Sequence, residues 1–226
     1  MPIKAVIFDA YGTLFDVFSV GALGEDLFPT KGAALAVLWR DKQIEYTRLR
    51  TMSDQYRDFW NVTQDALAFA CDSLGLPLTD AARDRLMQQY AQLTAFDENA
   101  AALTKLQDAG LPLGILSNGT PDMLRSAVES AGLARFFDHV LSADSVRKFK
   151  TAPQTYQLGP DAFGVPVSDI LFVSSNCWDA CGATWFGYQT LWLNRYDQPL
   201  ERLGVRPNRI GSALTDVAAY VAEING

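Results

Sequence analysis

Short unbroken apolar runs alternate with stretches of helical periodicity over most of this chain. The first run, residues 3–8, is rich in β-branched side chains and too short for a helix, so it predicts a strand buried on both faces. It stops at a carboxylate, Asp9, and Gly12 lets the backbone turn sharply just beyond. After Thr13 the pattern turns helical: residues 31–52, 54–74 and 79–93 each place apolar positions three and four apart. Gly75, Pro77 and the start signal Thr79-Asp80 punctuate these segments, and no strand run interrupts them.

From Asn99 the two periods alternate. Helices are expected over residues 99–109, 120–132, 153–163, 179–186 and 212–224, and strands over 113–116, 139–142, 170–173 and 190–193. Strands alternating with helices imply an α/β fold with a doubly wound parallel sheet. The strand at residues 3–8 belongs to that sheet, so the helical block splits the core. The expected organisation is an α/β core of residues 1–15 and 97–226, with an all-helical cap subdomain, residues 16–96, inserted into it.

Composition narrows the function classes. The 226 residues are 49% apolar and 20% charged, which excludes a disordered chain and allows a large core. A formal charge of -7 argues against nucleic acid or an anionic membrane as a main partner. No stretch approaches the roughly 20 apolar residues of a membrane span, and the first apolar run is too short for a secretory signal. Cys71, Cys177 and Cys181 make no disulfide framework, so buried structural thiols in a reducing cytoplasm are expected. Cys177 and Cys181 share a helix face, but without a His or acid cluster they make only a weak metal site.

An isolated Asp after a strand is usually a turn cap. Here three expected strands end on polar clusters: Asp9, then Ser117-Asn118, then Ser174-Ser175-Asn176 with Asp179 in the following helix. Parallel strands bring their carboxyl ends to one rim, where open α/β sheets bind ligands. A nucleophile, hydroxyl and amide donors, a second acid and the cation Lys150 would meet there.

These residues resemble the haloacid dehalogenase superfamily, which implies a Rossmann-like core with a helical cap over the whole chain. The marks are Asp9-x-x-Gly12-Thr13, the Ser117-Asn118 pair, a Lys ahead of the fourth strand and the acid-bearing turn after it. Lys148 competes with Lys150 for the third mark; Lys150 is preferred for its spacing from Tyr156. Most of that superfamily are Mg²⁺-dependent phosphatases with a second Asp two residues after the nucleophile and a metal-binding Asp after the fourth strand. Tyr11 and Ser175 stand at those positions here. A hard cation wants carboxylate oxygens, so no metal and no cofactor is expected. Within the superfamily the chain resembles the L-2-haloacid dehalogenases, through Tyr11 to Asp16, Leu38-Trp39-Arg40, Gln43 to Tyr46, Ser174 to Asp179, and Trp192 to Arg195.

The resemblance implies hydrolysis of short (S)-2-haloalkanoic acids to (R)-2-hydroxyalkanoic acids. An ordinary aspartate, with a pKa of ~3.9, is ionised at neutral pH and attacks carbon without a base. Asp9 is the implied nucleophile and Asp179 the implied base for ester hydrolysis, with Ser174, Asn176 and Lys150 orienting water and carboxylates. Thr13 and Tyr156 are supporting positions. Ser117 and backbone N–H groups near Tyr11 would bind the substrate carboxylate, while Arg40, Asn118 and Phe59 cradle the halide. Tyr11, Phe59 and Trp178 would exclude water. The only histidine, His139, lies beside no motif. A homodimer is implied by the family alone. The alternatives are a Mg²⁺-dependent phosphatase acting on a small phosphate ester, resting on fold analogy, and a binding module with a relic site.

Overall fold

The computed structural model describes residues 2–226; Met1, the first residue of the expected core, lies outside the described residues. Six parallel strands form one sheet in the order β3-β2-β1-β4-β5-β6. They are β1 (Ala5–Phe8), β2 (Leu113–Ser117), β3 (His139–Ser142), β4 (Ile170–Ser174), β5 (Gln189–Leu193) and β6 (Arg209–Gly211). β1, β2 and β4 are wholly buried, as unbroken apolar runs require. Phe8 lies opposite both Ile115 and Val173, so β1 is the centre of the sheet. The strand order reverses between β1 and β4, and Asp9 stands at that switch point. Its N–H still bonds to the Val173 carbonyl at 2.9 Å, which holds the residue after the strand in register.

Between the bridge residues Phe15 and Ala95, in the stretch after β1, lie four helices: α1 (Val20–Leu27), α2 (Gly32–Met52), α3 (Phe59–Leu74) and α4 (Asp80–Ala91). The chain leaves and re-enters the sheet side by side, since Phe15 and Ala95 form an antiparallel bridge. Trp39, Phe59, Leu67, Leu86 and Tyr90 are buried within this block. Five more helices flank the strands: α5 (Asn99–Asp108), α6 (Pro121–Ser130), α7 (Pro153–Phe163), α8 (Cys177–Phe186) and α9 (Thr215–Asn225). Among the described residues no helix is long and apolar enough to cross a membrane.

The differences from the expected elements have local causes. α3 begins at Phe59 rather than at residue 54, because the Asp58 carboxylate accepts the Asn61 N–H and caps the helix there. α9 begins three residues late, because Asp216 accepts the N–H groups of Ser212 and Ala213 and holds them in a turn. α1 and β6 were not expected as separate elements. β6 is a largely exposed edge of three residues, too short to leave an apolar pattern.

One device joins the fold to the rim. Pro160 lies inside α7 and has no N–H for the Tyr156 carbonyl one turn earlier. The Tyr188 hydroxyl donates to that carbonyl at 2.6 Å instead. Tyr188→Phe should therefore strand a buried acceptor and lower stability by about 1–3 kcal/mol, read by urea denaturation. Adding Pro160→Ala to it restores an N–H at position 160 and should recover part of the loss.

Candidate active site

Three elements converge on the Asp9 carboxylate, which is 5% exposed. Thr13, in the turn after β1, donates its hydroxyl to Oδ2 at 2.9 Å. Asn176, just before α8, donates Nδ2–H to the same oxygen at 2.9 Å. Lys150 donates Nζ–H to Oδ1 at 2.9 Å. The same ammonium reaches Oδ2 of Asp179 at 2.8 Å. Lys150 is 1% exposed and Asp179 not exposed at all, so one buried cation bridges two carboxylates.

The surrounding chain fixes these positions. Thr13 Oγ1 also accepts the Ser175 N–H at 2.8 Å, tying the β1 turn to the β4 turn. Arg195, after β5, donates to the Thr13 carbonyl at 3.0 Å and pairs with Glu98. Asn118 Oδ1 accepts the backbone N–H of Lys150 at 2.8 Å. Tyr156 donates its hydroxyl to Asp179 Oδ1 at 2.7 Å, so the phenol is a buried partner of the acid rather than a packed ring with a wet hydroxyl. Ser174 and Ser117 act at one remove: each hydroxyl accepts the N–H two residues on, of Asn176 and Gly119 respectively. Ser174 thus braces Asn176 and makes no direct hydrogen bond to either carboxylate.

Burial alone would push the Lys150 ammonium towards a lower pKa, but Asp179 and Asp9 outweigh it and the net shift is upward. Asp179 is held above the ordinary carboxylate range, chiefly by burial, with Lys150 and the Tyr156 hydrogen bond pulling the other way. The Tyr11 phenol is raised by burial first and by its neighbour Tyr90 second, which keeps it a neutral ring.

Over Asp9 lies a small, largely closed cavity of about 10 Å³. Tyr11, Phe59, Ser117, Asn118, Asn176 and Trp178 line it from the core and α3, and Arg40 reaches in from α2. The Arg40 guanidinium donates to the Tyr11 carbonyl and to Asn176 Oδ1, both at 3.2 Å, so it closes over the rim instead of facing solvent. The outer side of Trp178 is covered by Arg48, 4.9 Å from the ring centroid. Ile44 and Thr47 also line the cavity and were not singled out from the sequence. They lie four and seven residues after Arg40, on the same helix face, and that spacing was the available signal.

A divalent cation does not fit this donor set. The position between the two carboxylates is held by the Lys150 ammonium, and Ser175, standing where the superfamily's metal-binding acid would be, has a buried hydroxyl with no partner. Replacing Lys150 by Met should leave two buried carboxylates facing each other and cost about 3–5 kcal/mol at pH 7. Asp179 would then be raised further, so the folded variant binds a proton that the unfolded chain, at ~3.9, does not. The deficit should shrink as the pH is lowered from 7 to 5, as measured by denaturant melts at both values.

The profile of the haloacid dehalogenase-like hydrolases matches residues 3–187. An (S)-2-haloacid dehalogenase of Pseudomonas sp. strain YL is 45% identical over 206 residues, covering 91% of this chain and 89% of its own. A solved L-2-haloacid dehalogenase is 57% identical with a TM-score of 0.97, covering 98% of this chain and all of the other. The enzyme from Xanthobacter autotrophicus, solved with chloropropionic acid covalently bound, is 38% identical with a TM-score of 0.92, covering 97% and 98%. The switch-point carboxylate, its bridging lysine and these likenesses over nearly the whole length agree: the chain belongs to the haloacid dehalogenase-like hydrolases, in the branch of the (S)-2-haloacid dehalogenases.

Proposed function

We propose that this protein is a metal-independent hydrolase converting short (S)-2-haloalkanoic acids to (R)-2-hydroxyalkanoic acids with inversion. The observation that carries the reading is the Lys150 bridge: an ammonium sits between Asp9, which borders the cavity, and Asp179, which does not. One carboxylate is thereby presented to a ligand and the other kept behind it.

In the first step an Asp9 oxygen attacks C2 of the substrate and the halide leaves with the bonding pair. Thr13, Asn176 and Lys150 hold the carboxylate while it attacks. Arg40 takes the departing halide, with Asn118 and Phe59 beside it. The substrate carboxylate is held by Ser117 and by N–H groups of the turn at Tyr11. Tyr11, Phe59 and Trp178 exclude water, which strengthens these interactions. In the second step water adds to the Asp9 carbonyl carbon and Asp179 accepts one of its protons. The hydroxy acid leaves with an oxygen that was Asp9's and takes up the other water proton from the re-formed carboxyl, and Asp179 then gives its proton to solvent. A base with a raised pKa suits this task near neutral pH. Ser174 serves as a brace for Asn176, which orients the carboxylate.

The division into a core of residues 1–15 and 97–226 and a cap of 16–96 belongs to the same reading, supported by the paired crossings at Phe15 and Ala95. A cytoplasmic location is supported by three unpaired buried cysteines. A homodimer is supported by the exposed apolar side chains Leu49 and Met52 on α2.

A single turnover of L-2-chloropropionate in H₂¹⁸O with excess EDTA tests the chemistry. Chloride should appear despite the chelator, and the Asp9 peptide should gain one ¹⁸O. Label passing directly into product, or chloride release that requires Mg²⁺, refutes the mechanism. Tyr156→Phe removes a hydrogen bond that lowers the Asp179 pKa. The base is then protonated at a higher pH, so the acid limb of ester hydrolysis should move upward in the pH profile.

A further inference from the structure

Arg40 is held in an unusual way. Its three hydrogen-bond partners are the Tyr11 carbonyl, Asn176 Oδ1 and Gln43 Oε1, the last accepting from Nη1 at 2.8 Å. All three are neutral oxygens, and among the described residues no carboxylate lies within salt-bridge distance of this guanidinium. Every cation in direct contact with a carboxylate has part of its field cancelled. Arg40 keeps its own.

Gln43 is 0% exposed, and each of its polar atoms is committed. Oε1 accepts from Arg40 and from the Tyr90 hydroxyl, the latter at 3.0 Å. Nε2 donates to Thr63 Oγ1 at 2.6 Å, and Thr63 donates to the Phe59 carbonyl at 2.7 Å. Because guanidinium has only donors, the amide has one orientation: reversing it would set N–H against N–H. Burial raises the Tyr90 phenol, so it remains a donor. A buried chain thus runs from the cation on α2 to the backbone of Phe59, another cavity-lining residue.

We propose that Gln43 is a positioning residue that fixes the Arg40 guanidinium with a neutral acceptor, so that its undiminished positive charge binds the halide. The inference rests on the dehalogenase reading for its meaning, but halide binding can be measured without turnover. A glutamate would reach equally far and could receive the Thr63 hydroxyl hydrogen, yet it would neutralise Arg40. The choice of amide over acid is therefore a choice about charge.

The test titrates bromide into the wild-type protein, Gln43→Glu and Gln43→Met, with binding read by calorimetry and folding by circular dichroism. Gln43→Glu should weaken bromide at least tenfold, and Gln43→Met by less, because it loosens the guanidinium and leaves its charge. Equal affinity in the wild type and Gln43→Glu, or equal weakening in both variants, overturns the proposal. If Gln43→Glu does not fold, Gln43→Met decides alone: at least threefold weakening supports positioning, and unchanged affinity overturns it. Chloride release from L-2-chloropropionate by the wild type is measured in parallel. Its absence refutes the dehalogenase reading, while the bromide series still judges Gln43. With turnover, Gln43→Glu should slow the chloro substrate more than the bromo substrate; an unchanged ratio counts against it.

Discussion

The ammonium of Lys150 between Asp9 and Asp179 is the contact on which the rest of the site depends. Two carboxylates buried side by side would repel each other and take up protons, and one lysine holds them together in a place almost without water. That arrangement has a geometric price: Lys150, Asp9 and Asp179 come from three separated parts of the chain and must agree within tenths of an ångström. The sheet supplies the agreement. Asp9 extends the central strand, Asp179 lies in the first turn of the helix after the neighbouring strand, and Asn118 at the end of a third strand tethers the Lys150 backbone.

The other cation is treated in the opposite way. Lys150 is compensated twice, whereas Arg40 is held by carbonyl and amide oxygens alone. The two therefore do different work. A compensated cation sets the protonation of its neighbours, and an uncompensated one attracts what arrives. Placing the second on α2 means that this charge approaches Asp9 only because the helical block is packed over the sheet.

What the sequence revealed followed burial. β1, β2 and β4 are covered on both faces, so each is an unbroken apolar run, and the polar residue that ends each run marks the rim. Asp9, Ser117 and Ser174 were legible for that reason, and Tyr11 and Ser175 told against a metal by being the wrong residue types. β6 was not legible, because three largely exposed edge residues need no pattern. Gln43 and Tyr90 were not legible as site residues either. A buried amide in an amphipathic helix looks like any other interruption of the apolar stripe, and only the fold shows that its carbonyl faces a guanidinium. Ser174 was legible in place, and its bond to the Asn176 N–H was not, since a hydroxyl at a strand end serves equally a turn or a substrate.

The formal charges suggest how the proposed reaction would be driven forward. Two carboxylates and two cations make the resting site neutral. The substrate brings one negative charge, and displacement turns the Asp9 carboxylate into a neutral ester while creating a halide ion. The site then holds the substrate carboxylate, the halide and Asp179 against Lys150 and Arg40, an excess of one negative charge. In an enclosed, weakly screened cavity that excess favours loss of the mobile anion, the halide, and its departure restores neutrality before water attacks. Loss of the Asp9 charge also removes one of the two partners of Lys150, leaving the ammonium to Asp179 alone. The acid that must accept a proton in the second step is thus most strongly paired just when the ester forms. Departure of a water proton then costs least if Asp179 is offset by the burial that raises its pKa, which is the shift the structure shows.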